Sequence, residues 1–306
     1  MRFSVQLPVD RVDEGPEFVS AEAIGEMARA IERAGFDACF VTEHPFPPDG
    51  WLRRGGHHAL DPFVALSIVA AATRTLRLHT NILVLAYRNP FMAAKGISSL
   101  DVASDGRVIV GVGAGYLQGE FRALGAEFDG RNDRFDEALV AMKAAWTGES
   151  VELSSGTWQV EGNTMRPPPI QRPHPPIWIG GNSPRAIRRA VDHAQGWSPF
   201  PLPRAATRHT RTLAIESIDD LKAGIERMER IAEQCGRSAP LDVNFVPFGL
   251  GMNASAIPEH DPLREQFAEL ESIGVTWLSI GLPAPSRSGY LEALAEFSET
   301  FIVPGR

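Results

Sequence analysis

The chain has 306 residues, a formal net charge of -8, 43% apolar residues and 22% charged residues, fractions ordinary for a globular protein with a large core. The acidic balance and the lack of a Lys/Arg cluster argue against a nucleic-acid-binding protein. No run reaches the roughly 18 consecutive apolar residues of a membrane span, and the N-terminal apolar run is too short for a signal peptide, so a cytoplasmic protein is expected.

Short apolar runs alternate with amphipathic stretches along the chain. Residues 3–7 read as a strand, and 21–34 as a helix with Ile24, Met27, Ala28 and Ile31 on one face and Gly35 at its end. A second strand is predicted at 37–42 and a helix at 61–73, with Asp61 as cap and Pro62 in the first helical position. Strands at 76–84 and 107–112 alternate with helices at 91–103 and 134–146. The rhythm breaks at 147–176, a proline-rich insertion with a small hairpin expected across 150–160 and extended coil after it. It resumes with strands at 176–179, 196–198, 242–248 and 275–281, and helices at 185–193, 217–234, 262–273 and 290–301. Eight strand–helix units imply a parallel sheet closed into a (β/α)8 TIM barrel, read as one domain over 1–306.

In such a barrel the site lies in the loops after the C-terminal ends of the strands. That rule selects Gln6 after the first strand and Thr42-Glu43-His44-Pro45 after the second. His44 could transfer a proton near neutral pH or be a loop histidine bonded to backbone. Asn81, inside an apolar strand, needs its amide bonded, either across the barrel interior or to a ligand. Gly111-Val112-Gly113-Ala114-Gly115-Tyr116 lacks the spacing of a dinucleotide fold. Gly180-Gly181-Asn182-Ser183-Pro184 opens a helix and is either an anion site or an ordinary Ser-Pro cap. The His57-His58 pair reads as a solvated or substrate-facing loop, since adjacent histidines rarely meet one metal ion. His79 reads as structural, and His174, His193, His209 and His260 as surface or cap residues. Cys39 and Cys235 offer no metal-ligand spacing or disulfide framework. Loops 45–60 and 254–261 and the insertion are expected to wall a substrate pocket, with Phe46, Trp51 and Trp158 lining it or sealing the rim.

The chain resembles the luciferase-like monooxygenase superfamily, most closely its branch that uses the deazaflavin coenzyme F420. The resemblance is carried by Trp146-Thr147-Gly148-Glu149, Val160-Glu161-Gly162, and the run from Pro168 through Gln171-Arg172-Pro173-His174-Pro175-Pro176-Ile177-Trp178-Ile179-Gly180-Gly181. Gly35-Phe36-Asp37, Thr42-Glu43-His44, Tyr87-Arg88-Asn89-Pro90, Ser99-Leu100-Asp101, Gly113-Ala114-Gly115-Tyr116 with Glu120, and Gly196-Trp197 add to it. It implies a bacterial luciferase-like barrel with a deazaflavin or flavin across its mouth, and a non-proline cis peptide at Asn81-Ile82 backing the ring. It further implies a phosphate held by Gly180, Gly181, Asn182 and Ser183, a cofactor path lined by Gln6, Gly115 and Tyr116, and His44 as the active-site histidine. The function it implies is F420-dependent hydride transfer to or from a small organic substrate. The alternatives are an FMN-dependent monooxygenase served by a separate reductase and a non-catalytic flavin-binding barrel. Since relatives often pair as dimers through barrel helices, the resemblance also suggests a homodimer. A metal-dependent barrel hydrolase is discounted, because Gln6-Leu7-Pro8 stands where a His-x-His would be.

Overall fold

The computed structural model describes residues 1–303 apart from Asn253. The side chain of His209 also lies outside the described residues, and with it the surface expectation for that histidine. Eight parallel strands close a barrel in the order β1 (Arg2–Gln6), β2 (Ala38–Val41), β3 (Arg77–Val84), β4 (Val108–Gly113), β7 (Ile177–Gly180), β8 (Gly196–Ser198), β9 (Asp242–Phe245) and β10 (Trp277–Ile280), which returns to β1. A separate antiparallel hairpin, β5 (Ser150–Ser154) and β6 (Gln159–Thr164), fills the insertion. It extends past the expected 150–160 because β6 runs through Gly162 and Asn163, which carry little strand signal.

The barrel helices begin where cap chemistry dictates. Asp61 accepts from Phe63 N at 2.9 Å, Asn89 from Phe91 N at 3.0 Å and Ser183 from Ala186 N at 3.1 Å, each followed by proline at the first helical position. Four short helices escape the sequence pattern: Pro16–Val19, Asp49–Leu52, Gln118–Ala123 and Thr207–Thr210. They follow β1, β2, β4 and β8, so all four stand on the mouth side of the barrel, and each is too short to show an amphipathic period.

Alternate strand residues point inward, and the interior is layered. At the bottom Ala38, Ile109, Trp178 and Trp277 form an apolar plug, the two indoles 5.2 Å apart. Above it the layer turns polar. Ser4 Oγ lies 3.2 Å from His79 Nδ1, and Asn244 donates to Ser198 Oγ at 2.8 Å while accepting from Ser279 Oγ at 2.9 Å. His79 is fully buried, and burial pushes its pKa down to about 3, so the ring is neutral. The remaining apolar core is the annulus between strands and helices. Closing the bottom and leaving polar groups higher up places the opening at the C-terminal ends of the strands.

Candidate active site at the barrel mouth

The mouth holds a cavity of about 560 Å³, within the usual range for small-molecule sites. His44, Asn81, Ile82, Gly115, Tyr116, Gly180, Gly181 and Ser183 all line it. Two expected residues do not. Gln6 lies below, its amide nitrogen donating to Asp10 Oδ1 at 3.0 Å. Asn182 turns away and ties two loops together, donating to Phe200 O and Leu213 O and accepting from Phe200 N at 3.0 Å. Nor do 254–261 or the insertion supply a lining residue; the hairpin packs outside the barrel, with Trp158 against Phe91.

The floor is built by β3. Its ladder to β4 slips between Thr80 and Leu83, and the Asn81-Ile82 peptide there is cis, as the family resemblance implies. Ile82 then lies across the mouth. A Cβ at Gly113 would stand 2.2 Å from Ile82 Cδ1, and one at Gly180 would stand 2.9 Å from it. Glycine at both positions lets one aliphatic side chain form a flat apolar surface between β4 and β7. Glu43 anchors the bulge from β2: its carboxylate accepts from Val84 N at 2.6 Å and from the Arg88 guanidinium.

At one end of the floor stands the N-terminus of the helix Pro184–His193. Part of the expected amide cradle is already spent there, since Gly181 N donates to Ser198 O and Asn182 N to Thr212 Oγ1. The Ser183 N–H has no partner among the described residues. Two arginines stand nearby, one of them, Arg131, also donating to Gly115 O at 3.1 Å. Arg131 and Arg211 lie over Phe128, 4.1 and 4.8 Å from its ring centre, and both line the cavity. Neither forms an ion pair among the described residues, whereas Arg185 and Arg189 are taken up by Asp133 and Asp136. Two guanidinium groups sharing one ring, beside a helix N-terminus, make this end strongly anion-attracting. The groove continues outward past Arg208, lined by Thr207, Arg211, Thr212 and Leu213. Sequence reading missed Arg131 and Arg211, which stand 80 residues apart in sequence and meet only through Phe128.

At the other end, His44 Nδ1 lies 3.3 Å from Glu120 Oε2, and the carboxylate's second oxygen accepts from Phe46 N at 3.2 Å. Glu120 is buried. A carboxylate on Nδ1 fixes the ring and leaves Nε2 for the cavity. Trp51, His57 and Tyr116 surround the imidazole, with ring centres 4.4, 4.9 and 6.3 Å away. Burial, reinforced by Glu120, pushes the Tyr116 hydroxyl up to about 12, so it remains a neutral phenol. Glu120 stood among the family matches without an assigned role; its place 76 residues beyond His44 hides the pairing in the sequence.

A flat floor, an anion-attracting end and a histidine–carboxylate pair thus share one cavity at the mouth of a parallel barrel. The model of the luciferase-like monooxygenase family matches residues 1–251, and the chain belongs to that family. An FMNH2-dependent dimethylsulfone monooxygenase of Pseudomonas putida is 33% identical over 175 residues, 56% of this chain and 46% of that protein. Among solved structures, the monooxygenase RslO1 from Streptomyces bottropensis matches with a TM-score of 0.76 and 22% identity over 100% of both chains. The coenzyme F420-dependent tetrahydromethanopterin reductase from Methanopyrus kandleri matches with a TM-score of 0.75 and 17% identity over 99% of both. These last two likenesses speak to the fold. No helix among the described residues is long and apolar enough to cross a membrane.

Proposed function

We propose that the protein is an F420-dependent oxidoreductase that moves a hydride between the deazaflavin and a small organic substrate. One observation carries the reading: a single cavity joins a flat apolar floor to an anion-attracting end on one side and to His44 on the other. The residues present fit such a group. Ile82, with Gly113 and Gly180 yielding space, would back a planar ring; Ser183, Arg131 and Arg211 would hold a phosphate; Gly115 and Tyr116 would flank the path between. When bound, F420 supplies hydride transfer at a ring carbon. The chain's own task is orientation, exclusion of water and proton handling. His44 takes a proton from, or returns one to, the substrate oxygen through Nε2, and Glu120 steadies the charged imidazole through Nδ1.

The groove beyond Ser183 favours F420, because Arg208 and Arg211 continue the positive surface past the phosphate end, where the deazaflavin's acidic tail would lie. FMN is the second reading, supported by the dimethylsulfone monooxygenase relative; it would bring oxygen insertion and a separate reductase as partner. Equilibrium titration of the purified protein with F420 and with FMN separates them. F420 is expected to bind at micromolar concentration or below. Micromolar FMN binding without F420 binding overturns the assignment.

A further inference from the structure

Residues 49–58 leave the end of β2 and fold back over His44. The short helix Asp49–Leu52 presents Trp51, whose ring centre is 4.4 Å from that of His44 and 5.5 Å from that of His57. The chain reverses closely against this indole, since a Cβ at Gly56 would stand 2.3 Å from Trp51 Cε3. The reversal brings His57 into the cavity wall, its ring 4.9 Å from that of His44 and inclined at 78°.

The hydrogen-bond partners define which nitrogen of each ring carries the hydrogen. His57 Nδ1 lies 2.8 Å from His58 O, and a carbonyl only accepts, so Nδ1 bears the hydrogen. Burial, with the nearby His44 acting in the same direction, keeps the His57 pKa below its ordinary value, so the ring is neutral near pH 7. Its Nε2 is then a lone-pair acceptor with no partner among the described residues. His44 repeats the pattern, with Nδ1 on the Glu120 carboxylate and Nε2 left over. When His44 is in the neutral form that can accept a proton, both Nε2 atoms carry lone pairs, and both rings line one cavity. A ligand that offers only acceptors would set lone pair against lone pair there, whereas one with two neighbouring O–H or N–H groups satisfies both.

We propose that His57 is a substrate-binding residue, and that the site takes a molecule with two adjacent hydrogen-bond donors, a vicinal diol or amino alcohol, one on His57 Nε2 and the other on His44 Nε2. The inference rests on the functional reading above, which makes His44 the proton acceptor, and adds the substrate class.

Histidine-selective 15N NMR of the cofactor-free protein tests it, with cyclohexane-1,2-diol, cyclohexanol and 1,2-dimethoxycyclohexane as probes. Free His57 is expected in the Nδ1–H form. The diol is expected to shift the Nε2 resonances of both rings, and the diether neither. His57→Phe is expected to weaken diol binding by about 10-fold while leaving cyclohexanol unchanged, and His57→Gln, which keeps a carbonyl acceptor, to restore most of the loss. An Nε2–H form of free His57, a diether that binds as well as the diol, or wild-type diol affinity in His57→Phe each overturns the proposal. None of these readouts uses a cofactor, so the outcome is separate from that of the F420 and FMN titrations.

Discussion

The end of the cavity near Pro184 is built from a helix terminus and two arginines stacked on Phe128. The His44 end is built from two segments, Trp51 and His57 after β2 and Tyr116 and the buried Glu120 after β4. The first end is set by a capped barrel helix and by the helix start at Arg131, with Arg211 joining from the end of the short helix Thr207–Thr210. The second depends on how residues 49–58 fold against His44. Binding a constant group at a helix terminus and a variable one against a loop is what a fold needs when one cofactor serves many substrates.

Substitutions can break this division of labour. The largest effect is expected from His44→Ala: turnover falls by about 10²-fold or more, while cofactor affinity measured by titration stays close to wild type. Unchanged turnover would remove His44 from the chemistry. Ser183→Glu sets a negative charge against the anion-attracting end and is expected to weaken cofactor binding by about 10-fold or more; it also removes the Ser183 cap on Ala186 N, at a cost of about 1 kcal/mol in stability. Retained affinity would move the phosphate elsewhere.

The smallest effect lies outside both ends. Burial pushes the Glu32 carboxyl up, but donors from the backbone of Arg74, Thr75 and Leu76 and from the Thr75 hydroxyl outweigh it and bring the pKa down to about 2. A pKa depressed on folding contributes stability that is complete above the ordinary value of 4.5 and is lost as pH falls toward about 2. Glu32→Gln is therefore expected to lower the thermal midpoint slightly at pH 6, with the difference from wild type vanishing in strong acid. An equal difference at both pH values would sink this account. Neither end of the cavity should respond.

The barrel was legible because its elements carry local signals: inward–outward alternation in the strands, Asp, Asn and Ser caps, and proline in the first helical turn. The cavity lining was legible where it is backbone, at Gly180–Gly181 and Ser183, and where the strand-end rule applied, at His44 and Asn81. Three kinds of residue escaped. Arg131 and Arg211 meet only through a third residue. The amides of Gly181 and Asn182 look free in sequence and are consumed by Ser198 and Thr212. Gln6 and Asn182 sit at the right strand ends but turn to Asp10 and to the Phe200 and Leu213 backbone, and side-chain direction in a loop has no local periodicity to betray it.

The Ile82 platform also bears on how the depth of the mouth can change. One aliphatic side chain occupies the volume that Gly113 and Gly180 leave open, so positions 82, 113 and 180 act as a shim of fixed total thickness. A methyl group added at either glycine calls for trimming the isoleucine, and shortening the isoleucine alone deepens the recess by that amount. Ring-to-wall spacing is thus adjustable at three positions without touching His44, Glu120 or the arginines.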